Sequence, residues 1–253
     1  MKAFLKKEWM ETIRTGRGFL LLLIFGLFGI MNPAIARLTP WMMKVMSESL
    51  RDAGFVMTAV EVNAMTSWSQ CYKNIPLALI IFVLLVSGSF TGEYQKGTLI
   101  PVVTRGLSRR KIVAAKALMI MGLWTSGYFL SFGITFAYNE YFWGNGIASH
   151  LLFGAVCFWL FGLWVLGILL FLSTAARTGT QVLFGTGAAA LGIYVLGMLP
   201  APGRWLPARL MDGMSLLQGH TVPADYFKNV IIACAMTALF LLFSVLCFDR
   251  KRL

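Results

Sequence analysis

The chain has 253 residues, of which 58% are hydrophobic and 13% are charged, and its formal net charge is +12. Soluble domains carry about 25% charged residues, so this composition excludes an ordinary soluble protein. It also argues against a nucleic-acid-binding protein, because such a protein needs its basic residues on a folded soluble domain.

The first 16 residues are too charged to cross a membrane. On a helix, Leu5, Trp9 and Ile13 would share one face and the charged residues would lie opposite. A helix with this pattern lies in the interface of a bilayer. We therefore predict an interfacial amphipathic helix at residues 1–16.

Six apolar stretches without Asp, Glu, Lys or Arg follow in the chain. A helix needs roughly 20 apolar residues to cross about 30 Å of hydrocarbon, and each stretch supplies one crossing. The predicted spans cover about 18–36, 75–92, 117–138, 151–174, 182–199 and 229–248. The sequence thus predicts an all-α membrane protein in which 1–253 form a single transmembrane domain.

The basic residues set the predicted orientation. With the N-terminus inside, the cytoplasmic segments 1–17, 93–116, 175–181 and 249–253 hold 15 of the 22 Lys and Arg residues. Positive residues accumulate on the cytoplasmic side of membrane proteins. Both termini are therefore expected in the cytoplasm.

The segment 93–116 carries six basic residues between two charge-free stretches. Gly97 permits a sharp change of direction, and Ser108 is well placed as the N-cap of the third spanning helix. Between these points we predict a short cytoplasmic helix lying across the membrane surface.

The same segment resembles the cytoplasmic signature of the ABC-2 family of ABC exporter permeases. Glu93, Gly97-Thr98-Leu99, Ser108-Arg109 and Lys116 follow one another in the family's order and spacing, whereas Pro101 and Gly106-Leu107 depart from the commoner pattern. The resemblance implies a coupling helix that docks in a cleft of an ATPase. The matched positions are Glu93, Gly97, Thr98, Arg105, Ser108, Arg109 and Lys116.

The resemblance also implies partners and a location. The chain has no phosphate-binding loop of the Gly-x4-Gly-Lys-Ser/Thr type, so ATP and Mg are expected in a separate ATPase, present in two copies. A second permease subunit, identical or related, and membrane lipid would complete the complex in a bacterial plasma membrane. For this chain we predict no catalytic residue, no cofactor and no metal site.

In the family the first, second and fifth spans line the substrate path. The candidate polar residues on those spans are Asn32, Ser87, Ser89, Thr91, Thr180, Gln181, Thr186 and Tyr194. Gly185, Ala189 and Gly192 form a small-residue face that favours close helix packing, and we predict that it serves the dimer. The mostly apolar lining favours an amphipathic substrate, such as a lipid-like molecule, a peptide or a drug.

Three alternatives stay open at this point: a sodium-coupled carrier, a membrane subunit that binds a small solute, and an ATPase-independent scaffold. The predicted spans contain no Asp, Glu, Lys or Arg, which disfavours a proton-coupled carrier. Sodium sites made of carbonyl and hydroxyl oxygens are compatible with such spans.

Overall fold

A computed structural model describes residues 2–51, 62–104, 106–199 and 203–251, with side chains described except at 47–51. Regular structure in these ranges is helical, without a strand. The helices are α1 (Lys2–Arg14), α2 (Arg17–Arg51), α3 (Ala64–Val86), α4 (Gly88–Gln95), α5 (Ile100–Thr104), α6 (Arg109–Phe142), α7 (Leu151–Ala175), α8 (Gly179–Gly197), α9 (Gly213–Leu217) and α10 (Phe227–Arg250), with 3-10 turns at Pro207–Met211 and Pro223–Tyr226.

Within the described ranges, six helical segments are long and apolar enough to cross a membrane, which confirms the prediction of a six-span helical protein. They are Arg17–Met46, Ala64–Gln95, Arg109–Phe142, Leu151–Ala175, Gly179–Gly197 and Pro223–Arg250. The second combines α3 and α4, which continue through Ser87.

The first spanning helix is longer than the apolar stretch that predicts it. The sequence pattern ends near residue 36 and suggests a separate surface helix over 42–51, whereas α2 runs unbroken to Arg51 with Pro33 and Pro40 inside it. Proline removes one backbone donor, and neighbouring helices and side chains in a membrane protein can satisfy the carbonyl that this leaves free. Two prolines therefore do not end the helix.

Helix α7 forms the centre of the bundle. It packs against α10, α8, α6 and the Pro207–Met211 turn, and it contributes the fully buried Phe158 and Trp164 to the core. Its contact with α6 depends on Gly162, where an added Cβ would lie 2.2 Å from the ring of Trp124. The indole Nε1 of Trp124 donates to the carbonyl of Trp159, 3.2 Å away.

Helix α8 is much less covered than α7. Only Val182 and Thr186 of this helix are buried, whereas Phe184 and Leu191 are 72% and 66% exposed. An exposed apolar helix in a membrane protein meets lipid, another subunit or cargo. This open side faces α3 and forms the groove described below.

Candidate coupling site and apolar groove

An ion-pair cluster joins α1, α4 and α6 at the end of the bundle that carries both termini. Its centre is Lys116, which is 2% exposed. The Lys116 ammonium lies 2.8 Å from a carboxylate oxygen of Glu8 and 3.0 Å from one of Glu93. Both glutamates are buried as well, so the lysine and its two partners compensate one another's charge away from water.

Lys7 connects the cluster to the rest of α1. Its ammonium lies 3.0 Å from carboxylate oxygens of Glu8 and Glu11, and it also binds Glu93. Burial lowers the pKa of Lys7, but hydrogen bonding and attraction from Glu93, Glu8 and Glu11 outweigh burial and raise that pKa above its usual value. For Glu11, the hydrogen bond and charge of Lys7 outweigh burial and lower the pKa of the carboxyl.

The cluster also accounts for a group of three carboxylates, Glu8, Glu11 and Glu93, whose oxygens lie within 4.8 Å of one another. Such a group has the chemistry of a cation site. Here the ammonium groups of Lys7 and Lys116 offset two of its three negative charges, so we assign the group to ion pairing within the protein.

Glu93 and Lys116 are the first and last residues of the segment that resembles the coupling element. Their ion pair closes this segment at its base, and Glu8 ties the same point to α1. Both residues are at most 6% exposed, so neither presents its side chain to a partner. We therefore assign them a positioning role.

Between these ends the segment turns back along the bundle and anchors on it through Leu99, which is 1% exposed. Gly97 turns the chain with φ +65°, a conformation that favours glycine, and the amide of Thr98 donates to the carbonyl of Glu93 at 3.1 Å. Helix α5 follows, and none of its residues is buried. Ser108 occupies the N-cap position of α6 as predicted, although its side chain makes no capping hydrogen bond.

Arg109, one of the matched positions, contacts the end of α10. Its guanidinium donates to the carbonyl oxygens of Phe248 and Asp249 at 3.0 Å each, at the end of α10. Lys251 similarly donates to the carbonyls of Thr174 and Ala176 at the end of α7. Basic groups stabilise helix C-termini, so these contacts hold the helix ends together beside the segment. Arg105, another matched position, lies outside the described residues.

The exposed side of α8 and the facing side of α3 enclose an apolar groove of about 560 Å³. Residues lining it are Ile80, Val83, Phe161, Phe184, Leu191 and Tyr194. Thr186 also lines the groove and is 1% exposed, and its hydroxyl has no hydrogen-bond partner within the described ranges.

The structure brings two of the eight candidate path residues, Thr186 and Tyr194, to this groove. The others have different surroundings. Asn32 is fully buried, where its side-chain amide accepts from Asn74 at 2.9 Å and donates to Thr135 at 3.2 Å, thereby joining α2, α3 and α6. The hydroxyl of Ser87 donates to a carbonyl of its own helix, and that of Ser89 accepts from Arg17. Thr91 is buried beside Gly179. The side chain of Gln181 accepts from the backbone amide of Arg177, and Thr180 is exposed.

The predicted small-residue face of α8 is divided between two environments. A Cβ on Gly185 would lie 2.9 Å from Leu172 of α7, so this glycine permits packing within the chain. Ala189 is partly buried against the core, whereas a Cβ on Gly192 would meet nothing within 4 Å. Of the three, Gly192 is the position open to another molecule.

Residues 3–253 match the protein family described as "ABC-2 family transporter protein". The chain belongs to the ABC-2 family. It is also similar to "Uncharacterized transmembrane protein YxlG" of Bacillus subtilis (strain 168), with 24% identity over 99% of this chain and 97% of that protein. No solved structure gives a significant match.

In this ABC-2 protein the sequence pattern did not reveal the roles of Lys7 and Glu8. They belong to the charged face of α1, which the amphipathic pattern would place toward water. In the structure Glu8 is 8% exposed and points into the bundle, whereas Trp9 and Ile13 are 54% and 57% exposed. The available signal was Lys116: a cation so close to an apolar span needs a nearby anion.

Proposed function

We propose that the chain is the transmembrane permease subunit of an ABC exporter and that α5 is its docking element for a separate ATPase. The observation that carries this proposal is the contrast within 93–116. The two ends are fixed by the Glu93–Lys116 ion pair, whereas the helix between them packs on the bundle through Val102 and Val103 and leaves Ile100, Pro101 and Thr104 exposed. A rigidly based, exposed element can transmit a displacement from a partner to the spans that continue from it.

The proposed complex contains two ATPase subunits and two permease subunits, identical or related, in a bacterial plasma membrane with both termini of this chain in the cytoplasm. ATP and Mg bind to the ATPase, and this chain is not an enzyme. The apolar groove between α3 and α8 supports an amphipathic substrate, because its lining offers few polar groups to a hydrophilic solute.

Copurification with an ABC ATPase coexpressed from the source organism tests the docking element. Ile100 of α5 is 48% exposed and Ile147, in the loop before α7, is 56% exposed. Ile100→Glu should abolish copurification and ATP-dependent export, because a charge replaces the apolar centre of the docking surface. Ile147→Glu is the matched control and should retain both activities. Equal copurification of the two variants would refute docking through α5.

A further inference from the structure

A second, basic cavity adjoins the apolar groove at the end of α8 remote from α1. This cavity has a volume of about 370 Å³ and is lined by Arg204, Arg209 and Asp212, among others. Tyr194 lines both spaces. The Pro207–Met211 turn also borders both, because Arg209 faces the basic cavity and Met211 faces the groove. The two spaces therefore adjoin each other, so that one elongated ligand can place an apolar body in the groove and a polar end at the basic cavity, here called the mouth.

The mouth carries a surplus of positive charge. In the part of the chain that the structure describes, neither Arg204 nor Arg209 takes part in an ion pair. Arg209 lies over the ring of Tyr226 at 5.1 Å, which leaves its guanidinium edge free to donate. Asp212, the acidic residue of the mouth, already accepts from the hydroxyl of Ser215 at 2.7 Å. Two available guanidinium groups favour an anionic ligand group, and a phosphate suits their planar donor geometry.

The body of the site suits an alkyl chain. Its volume lies within the range of about 300–1,000 Å³ that is typical of small-molecule sites, and its lining is almost wholly aliphatic and aromatic.

We propose that this site binds an anionic phospholipid, with an acyl chain between α3 and α8 and the phosphate at Arg204 and Arg209. This proposal rests on the proposed function in one respect: it treats the bound lipid as the substrate that is exported. A neutral phospholipid matches the groove but adds a positive group at the mouth, where it would meet two guanidinium groups. The site should therefore select lipids by headgroup charge.

Lipid retention by the purified full-length chain tests the proposal without the ATPase. The protein is incubated with equal amounts of phosphatidylglycerol and phosphatidylcholine that have identical acyl chains, separated by size exclusion, and analysed for retained lipid by mass spectrometry. The wild type should retain phosphatidylglycerol in excess. Arg204→Gln/Arg209→Gln should lower the ratio of the two lipids about tenfold, which corresponds to about 1.4 kcal/mol. The double variant Arg14→Gln/Arg250→Gln removes two exposed arginines at the opposite end and should keep the wild-type ratio.

A second variant tests the groove itself. A Cβ on Gly187 would meet nothing within 4 Å, so Gly187→Trp fills the groove without a backbone clash and should reduce retention of both lipids. Equal lipid ratios in the wild type and Arg204→Gln/Arg209→Gln would overturn the proposal. Unchanged lipid retention in Gly187→Trp would also overturn the proposal. So would the finding that the protein forms a dimer that covers the groove and retains no lipid. Selective retention without ATP-dependent export would instead refute the proposed function and leave the lipid site standing.

Discussion

Replacing Lys116 with Met tests whether the ion-pair cluster stabilises the protein. The substitution removes the ammonium group and keeps an unbranched apolar side chain in the space beside Phe90. It leaves the carboxylates of Glu8 and Glu93, which are 8% and 6% exposed, with Lys7 as their remaining cation. The cluster would then hold three carboxylates and one ammonium group in a largely buried site.

The expected loss of stability follows from that imbalance. Removing one partner of a buried ion pair costs about 3–5 kcal/mol, because the other charge stays buried without compensation. Since Lys7 remains, we expect the low end of this range, about 3 kcal/mol. Lys111→Met is the matched control, because Lys111 is an exposed lysine on the same helix and its replacement should change stability by less than about 0.5 kcal/mol.

Unfolding of the purified protein in mixed micelles by increasing SDS measures the difference. A double-mutant cycle with Glu8→Gln then separates the ion pair from packing. Glu8→Gln should cost less in the Lys116→Met protein than in the wild type, with a coupling energy of about 0.5–3 kcal/mol. Equal stability of Lys116→Met, Lys111→Met and the wild type would refute the reasoning, and additive losses would assign the effect to packing alone.

Three further predictions concern orientation, packing and pH. Single cysteines at Ser149 and Ser108, in a protein lacking the native cysteines, should differ in intact cells: an impermeant maleimide should label position 149 and spare position 108, and the reverse pattern would overturn the orientation. Gly162→Ala should destabilise the protein in an SDS titration by about 1–3 kcal/mol, because the new Cβ meets a buried tryptophan ring, whereas Gly133→Ala has open space and should not. Because the pKa of Glu11 is lowered in the folded protein, its ionised carboxyl stabilises the fold above the unfolded pKa of about 4.3. This stabilisation is lost as the pH falls through the folded pKa. Protease cleavage after α1 should therefore become faster in acid, and the increase should be smaller in Glu11→Gln.

The number and type of the spanning helices could be predicted from the sequence because each apolar stretch has one physical use in a bilayer. The ends of α2 and α6 could not be predicted, because both helices continue into polar residues beyond their apolar stretches, and α2 also continues past two prolines. The turn at Gly97 and the N-cap position of Ser108 were predictable, since both depend on local backbone preferences. These elements needed no knowledge of distant contacts.

The candidate coupling site could be predicted only in outline. Motif spacing located Glu93 and Lys116 but not their contact with Glu8, which lies 108 positions from Lys116 in the chain. Likewise, hydropathy marked Asn32 as a polar residue in an apolar span without showing that Asn74 and Thr135 satisfy it. Pairings between helices depend on how the bundle packs, and no local pattern records that packing.

The contact between Glu8 and Lys116 also has a consequence for biosynthesis. The ribosome makes α1 before α6, and the lysine that pairs with Glu8 is translated more than a hundred residues later. Until α6 has emerged, the nascent α1 can rest on the bilayer through Trp9 and Ile13, both of which stay exposed in the finished protein. The contact of Glu8 with Lys116 therefore forms late, and in a chain whose synthesis stops before residue 116 the described ion pairs would hold α1 to α4 only through Lys7 and Glu93.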